Sequence, residues 1–386
     1  MKMSKYLNYD SPFGLYIHIP FCKSKCNYCD FYSIKYNDEK KQQYIEALSK
    51  EIELYTDRLR NKTVKTIYFG GGTPSVLSPK KVEHIINKIT SNFNLIDDIE
   101  ISMEANPASL NLEKIIKYKE AGINRLSLGV QSFLNKELKF LGRIHTSKEA
   151  VKTIEQVKKY FDNFSLDIIF ALPGQKLEDF KYSLNKAINF KPVHLSLYNL
   201  QIEEDTPLYN RLEAGEIEPI SEKLDYQMYN FAIKRLKDIG YQHYEISNFA
   251  QAGYRSQHNL LYWQYKPYLG LGPSAHGFNG KKRYYNIIDL NSYLNVLSKD
   301  KLPIKKKINL SRDDLISEMM FMGLRLIEGV SKKDFQERFN VSIHDKYGET
   351  IKKLKKDNLL KESDKKLYLT KKGINLGNIS FAEFLL

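Results

Sequence analysis

LYIHIPFCKSKCNYCD, residues 15–30, is an apolar, strand-like run followed at once by Cys22, Cys26 and Cys29, the only cysteines in the 386-residue chain. A protein that used thiols for packing would scatter them, whereas here they converge on one short loop. Three thiolates on such a loop are good ligands for iron–sulfur or zinc, and an odd number cannot close into a disulfide set. Three is also one short of a closed tetrahedral or four-iron site. Either another group completes the site, or one metal position is open for chemistry.

Downstream of this loop, short apolar runs alternate with helix-period stretches as far as about residue 250. Strand-like runs fall at 64–69, 99–104, 125–130, 166–170 and 193–197. The clearest helical face places Tyr44, Leu48, Ile52, Tyr55 and Leu59 together, and further helical stretches lie near 79–92, 111–121, 147–160, 177–189 and 221–239. Strands separated by helices predict parallel pairing with right-handed crossovers, hence an α/β sheet or barrel. Polar and glycine-rich chemistry recurs just after the strands: the cysteines after the first, Gly70-Gly71-Gly72-Thr73 after the second, Glu104 ending the third, Gln131 after the fourth. Barrel enzymes build their sites at the carboxyl ends of strands, so four such placements in succession point to one site.

Composition bounds the rest. A hydrophobic fraction of 42% supports a substantial core. No apolar run is long enough to span a bilayer, and MKMSKYLNYDSPFG lacks the apolar centre of a signal peptide, so a cytoplasmic setting with reduced thiols is expected. The net charge of +14 comes mostly from lysines dispersed at helical spacing, as in KKVEHIINKI, which read as solvated faces and not as a specific nucleic-acid surface. After about residue 300 the character changes. A helix is expected over 309–327, two short ones near 331–338 and 345–357, and a β-ribbon in LLKESDKKLYLT. That succession predicts a winged-helix-like accessory domain. The expected organisation is a short N-terminal segment (1–13), a main α/β domain (14–250), an extension (251–300) and the C-terminal helical domain (301–386).

The C-x3-C-x2-C spacing after a strand resembles the signature of the radical S-adenosylmethionine superfamily. The resemblance implies a partial (β/α) TIM-type barrel. It also implies a 4Fe–4S cluster whose three irons are held by Cys22, Cys26 and Cys29, with the fourth iron open to the amino and carboxylate groups of S-adenosylmethionine. A zinc site completed by a nearby His such as His18 is the alternative, but His18 sits in the strand and the spacing lacks a paired second half. Gly70-Gly71-Gly72-Thr73-Pro74 resembles the family's methionine-binding glycine motif, in which bare backbone approaches a ligand closely and presents N–H groups.

LYIHIPFC, CNYCDF, YFGGGTPS, EANP, RLSLGVQSF, LGRIH and SLDIIFALPGQ, in that order, narrow the resemblance. They resemble the oxygen-independent coproporphyrinogen oxidase group and its heme-chaperone branch. By motif, Tyr16, Gly71 and Glu104 are expected to contact the cluster-bound S-adenosylmethionine. Gly72, Thr73, Gln131, Arg143 and Asp167 match positions that hold a second S-adenosylmethionine in the oxidase, where a carboxylate suits ribose hydroxyls and an arginine suits a carboxylate.

Three features favour the chaperone branch. Phe31 stands where the oxidase carries a fourth cysteine. Only about fourteen residues precede Leu15, fewer than the oxidase's N-terminal arm. His258-Asn259-Leu260-Leu261-Tyr262-Trp263 resembles an HNxxYW motif, whose imidazole would serve as an axial heme ligand beside flat aromatic surface. His276, in GLGPSAHGF, reads as a satisfied loop residue, with iron ligation or contact to an adenosyl group as alternatives, and Gly270 and Gly272 predict close backbone approach there. The expected function is therefore that of a heme chaperone delivering heme to apo-hemoproteins such as respiratory enzymes, with a basic surface aiding membrane contact. Coproporphyrinogen III dehydrogenation is the enzymatic alternative, and no side chain is assigned a catalytic role.

Overall fold

The computed structural model describes residues 12–59 and 62–386. Of the N-terminal segment expected over 1–13, residues 1–11 lie outside the described residues. The six predicted runs become strands β1 (Phe13–Ile19), β2 (Thr63–Gly71), β3 (Asn94–Ala105), β4 (Arg125–Gln131), β5 (Phe164–Phe170) and β6 (His194–Asn199). They pair in chain order, all parallel, at the centre of a 12-stranded sheet. Helices cross between them, giving the α/β partial barrel.

Alternation along these strands divides structure from chemistry, because successive side chains point to opposite faces. Leu15, Ile17, Ile67, Phe69, Leu126, Leu128, Leu166, Ile168, Leu195 and Leu197 fall on one parity and lie in the main apolar core. The helix Asp38–Leu59 packs its predicted stripe there, with Tyr44, Leu48, Ile52 and Tyr55 fully buried. The opposite parity carries Tyr16, His18, Tyr68, Glu104, Arg125, Ser127, Asp167 and Ser196, and of these Tyr68, Glu104, Arg125, Ser127, Asp167 and Ser196 line a cavity inside the barrel.

The region expected as an extension is part of the sheet. Tyr268–Leu271 pairs in parallel with the outer edge of β1, and His276–Phe278, Lys282–Asn286 and Ile304–Asn309 continue antiparallel beyond it. Both glycines in this region are required by close approach. A Cβ on Gly270 would collide with the His276 carbonyl, and one on Gly272 (φ +94°) would stand 2.6 Å from the His18 carbonyl oxygen. The buried Glu51 carboxylate pins the same edge to the helix layer, accepting from Gly272 N–H (2.8 Å), Asn286 Nδ2 (2.7 Å) and the Tyr293 hydroxyl (2.7 Å).

The helix expected over 309–327 is shorter, Arg312–Gly323, because Asn309 ends a strand and Ser311 caps the helix in a reciprocal box with Asp314. Consecutive lysines at 305–307 hid that strand's alternation. The helices Lys332–Phe339 and Ile343–Lys356 and the ribbon Leu360–Glu362 with Lys366–Leu369 follow, joined by Val330–Ser331 as a third strand. Phe335, Phe339, Ile351, Leu354 and Leu367 form their core, which also takes Tyr265 and Phe278 from the barrel side.

Candidate functional site

A cavity of about 420 Å³ opens at the carboxyl ends of the strands. Its walls bring together Cys22, Cys26, Cys29, Gly71, Gly72, Thr73, Glu104, Gln131, Arg143 and Asp167, residues spread over about 145 positions of sequence and gathered by strand topology.

The cysteine loop is held by its neighbours on both sides. Asn27 donates its N–H to the Leu141 carbonyl (3.0 Å) and its side-chain amide to the Phe140 carbonyl (2.8 Å). This docks the LGRIH segment against the loop and sets the Arg143 guanidinium 3.3 Å from Cys26 Sγ, with its other arm on the Gly129 carbonyl (2.6 Å). Cys22 is buried, 3.4 Å from the Thr73 hydroxyl. Burial pushes the Cys29 thiol up to about 11, so ligation of iron must displace its proton.

The glycine segment works differently from expectation. Its amides are already engaged: Gly71 N–H on the Glu104 carboxylate, Gly72 N–H on the Ile19 carbonyl (2.9 Å), Thr73 N–H on the Phe21 carbonyl (2.9 Å). The glycines instead permit contact. A Cβ on Gly71 (φ +104°) would meet the His18 ring at 2.7 Å, and one on Gly72 would meet the Phe21 carbonyl oxygen at 2.8 Å and Cys22 Sγ at 3.0 Å. The segment thus seats the cysteine loop on the barrel rim.

Deeper in, Glu104 accepts from the Tyr68 hydroxyl (2.7 Å), and burial raises its carboxyl to about 7. Asp167 accepts from Ser127 at 3.0 Å to each oxygen, and burial raises its pKa as well. Gln131 (φ +66°) and Arg143 each keep one buried polar atom, Oε1 and Nε, without a hydrogen-bond partner among the described residues. Buried polar atoms are seldom left unpaired, so these are places for a polar ligand. Three thiols, two carboxyls and two orphaned polar atoms around one cavity fit a 4Fe–4S cluster bearing S-adenosylmethionine.

Tyr16 and His258 are not among the cavity walls. Tyr16 stacks on Tyr68 (6.3 Å, 22°) and reaches His18 Nδ1 at 3.1 Å. His18 Nε2 meets the Tyr32 carbonyl at 2.9 Å, so both ring nitrogens are occupied and the zinc alternative lacks its fourth ligand. His258 departs from expectation. It is fully buried near the amino ends of the strands, with Nδ1 2.7 Å from the Thr66 hydroxyl and Nε2 2.8 Å from the Tyr262 hydroxyl. Glu100 caps its helix by accepting from the N–H groups of Gln257 (3.0 Å) and His258 (3.1 Å). Such an imidazole closes the barrel floor and has no nitrogen free for iron. His276 departs the other way: it is exposed, and no hydrogen bond reaches its ring among the described residues.

Sequence reasoning missed Arg125, Tyr68, Ser127 and Ser196, all on the cavity wall. Strand parity held the signal, since Arg125, Ser127 and Gln131 alternate on one face of β4. Phe31, the residue in place of a fourth cysteine, lies at the cavity with 59% of its surface exposed.

Two family models match the chain, the Radical SAM superfamily over residues 16–187 and the HemN C-terminal domain over residues 310–376. The heme chaperone HemW of Bacillus subtilis is 36% identical over 96% of this chain and 98% of its own length. That of Lactococcus lactis is 38% identical over 97% and 98%. In fold, the chain is similar to the coproporphyrinogen III oxidase HemN from Escherichia coli, with a TM-score of 0.85, 24% identity, and coverage of 99% of this chain and 92% of that one.

Proposed function

The chain belongs to the HemW heme-chaperone family within the radical SAM superfamily, and from that membership we propose that it binds heme and delivers it to apo-hemoproteins. Respiratory enzymes are the acceptors we favour, with the chain acting in the cytoplasm and touching the membrane peripherally through its lysine-rich surface. No helix among the described residues is long and apolar enough to cross a membrane.

In this reading Cys22, Cys26 and Cys29 hold the 4Fe–4S cluster, which supplies an open iron for S-adenosylmethionine and a source of single electrons. Glu104, Gln131, Arg143 and Asp167 hold the polar parts of the cofactor. Arg143 beside Cys26 offsets the negative charge of the thiolate. Tyr68 and Ser127 orient Glu104 and Asp167. Gly71 and Gly72 let the cysteine loop close over the rim, and Tyr16 buttresses Tyr68 from behind.

The observation that carries chaperone over oxidase is Phe31: an exposed phenyl ring stands at the cavity where the oxidase-type motif places a thiol. Anaerobic incubation of the reconstituted protein with coproporphyrinogen III, S-adenosylmethionine and a reductant should yield no protoporphyrinogen above a cluster-free control. Robust turnover would overturn the chaperone reading.

A further inference from the structure

Four ammonium groups gather on one flank of the cysteine loop. Lys23, the residue after Cys22, is exposed and donates to the Ala108 carbonyl (2.9 Å). Lys114 donates to the neighbouring Ser109 carbonyl (3.3 Å) and to the Ser75 carbonyl (2.7 Å). Lys41 lies 4.4 Å from the centre of the Tyr36 ring, and Tyr36 donates its N–H to the Cys22 carbonyl (3.1 Å). Lys81 donates to the side-chain oxygen of Gln42 (2.6 Å). These lysines come from separate segments and feel one another. Burial and the charges of Lys23 and Lys41 lower Lys114 to about 8, and burial and the charge of Lys41 lower Lys81. Among the described residues, Asp38 on Lys41 (2.7 Å) is the one carboxylate within salt-bridge reach of the four, and Glu46 acts on Lys81 only from farther out.

We propose that this patch docks an acidic protein that carries single electrons, and that the electron for the cluster enters here. The proposal rests on the cluster reading above and gives the cluster its supplier. Like charges held together without matching carboxylates raise the energy of the free surface, and an acidic partner relieves it. The patch also stands where an electron can enter. The cavity side of the loop is given to the cofactor, and the flank at Asn27 is covered by Leu141 and Phe140.

The lysine flank is left, and it leads directly to a ligand. Ser75, which Lys114 holds, follows closely on Thr73, whose hydroxyl lies 3.4 Å from Cys22 Sγ. Tyr36, against Lys41, is bonded to the Cys22 backbone. Tunnelling weakens steeply with distance, so a donor seated on this flank has a short route to the iron. The transfer is one electron: the partner's reduced cofactor loses it, the oxidised cluster gains it, and no covalent bond changes. A nucleic acid or an anionic membrane would meet the same charge but has no use for a route to Cys22. An electron carrier uses both.

The test takes an acidic flavodoxin as probe. Its binding to the cluster-free full chain is measured by calorimetry over a range of salt concentrations. Its reduction of the reconstituted cluster is followed anaerobically by stopped-flow absorbance, beside photoreduced deazaflavin, a reductant too small to need a docking surface. Lys23→Glu combined with Lys81→Glu should weaken flavodoxin binding at least about tenfold and slow cluster reduction by flavodoxin by a similar factor. The cluster spectrum and the rate with deazaflavin should not change. Lys361→Glu combined with Lys371→Glu, the same charge change on exposed lysines of the C-terminal domain, should behave as wild type. Equal loss in both double variants would reduce the effect to net charge and overturn the proposal. Wild-type binding and rate in the Lys23→Glu, Lys81→Glu protein would overturn it too, as would a wild-type chain that binds phosphatidylglycerol vesicles or RNA through these lysines but not flavodoxin. A chain that assembles no 4Fe–4S cluster overturns the cluster reading on which the proposal rests.

Discussion

Cys22→Ala is expected to abolish the 4Fe–4S absorbance of the reconstituted protein and its iron and sulfide content, while the apo protein remains folded. Cys22 is the most constrained of the three ligands. Its Sγ lies 3.4 Å from the Thr73 hydroxyl and 3.0 Å from where a Gly72 Cβ would stand, so nothing larger fits and nothing nearby substitutes for it. The imidazole against the glycine segment, His18, has both nitrogens taken by Tyr16 and the Tyr32 carbonyl. Two thiolates cannot hold three irons. The fold is insensitive because the barrel rests on the apolar parity of its strands and not on the loop. Iron analysis beside a thermal melt separates the two effects, and retention of the cluster spectrum would point to another set of ligands.

His258→Ala is expected to be a stability variant. Removal of the ring leaves the Thr66 and Tyr262 hydroxyls buried without their partner and opens a void against Gly14 and Leu261. Lost hydrogen bonds and a cavity of that kind together cost about 3 kcal/mol. The midpoint of thermal unfolding should fall clearly, whereas the hemin spectrum of the folded protein should match wild type. Loss of heme ligation with no change in melting would mean that His258 leaves its buried seat to bind iron.

These two residues show where sequence was informative and where it was not. The cysteine loop and the order of strand and helix were legible because each depends on local spacing: period two for strands, 3.6 for helices, three and two residues between successive thiols. The placement of Glu104 and Gln131 was legible because each lies at the end of a strand, and parallel topology carries such positions to one rim, whereas Arg143, beyond the helix Asn135–Phe140, and Asp167, in the middle of β5, were reached through motif resemblance alone. His258 misled because a histidine amid aromatics has the same sequence whether its nitrogens face iron or two hydroxyls. That difference is made by Thr66, about 190 residues earlier. The glycine segment misled in a related way: the sequence showed bare backbone but not that the Ile19 and Phe21 carbonyls already occupy its amides. The sheet edge from 268 to 309 was hidden because short strands rich in tyrosine and lysine carry little apolar alternation.

A heme chaperone must both carry heme and give it up. The most direct measurement mixes hemin-loaded, cluster-reconstituted protein with an apo-hemoprotein under anaerobic conditions and follows both absorbance spectra. The acceptor's holo spectrum should grow as the donor's declines, to a limit set by the hemin first bound. Hemin that never binds saturably, or that stays on the donor in the presence of excess acceptor, would contradict the chaperone reading.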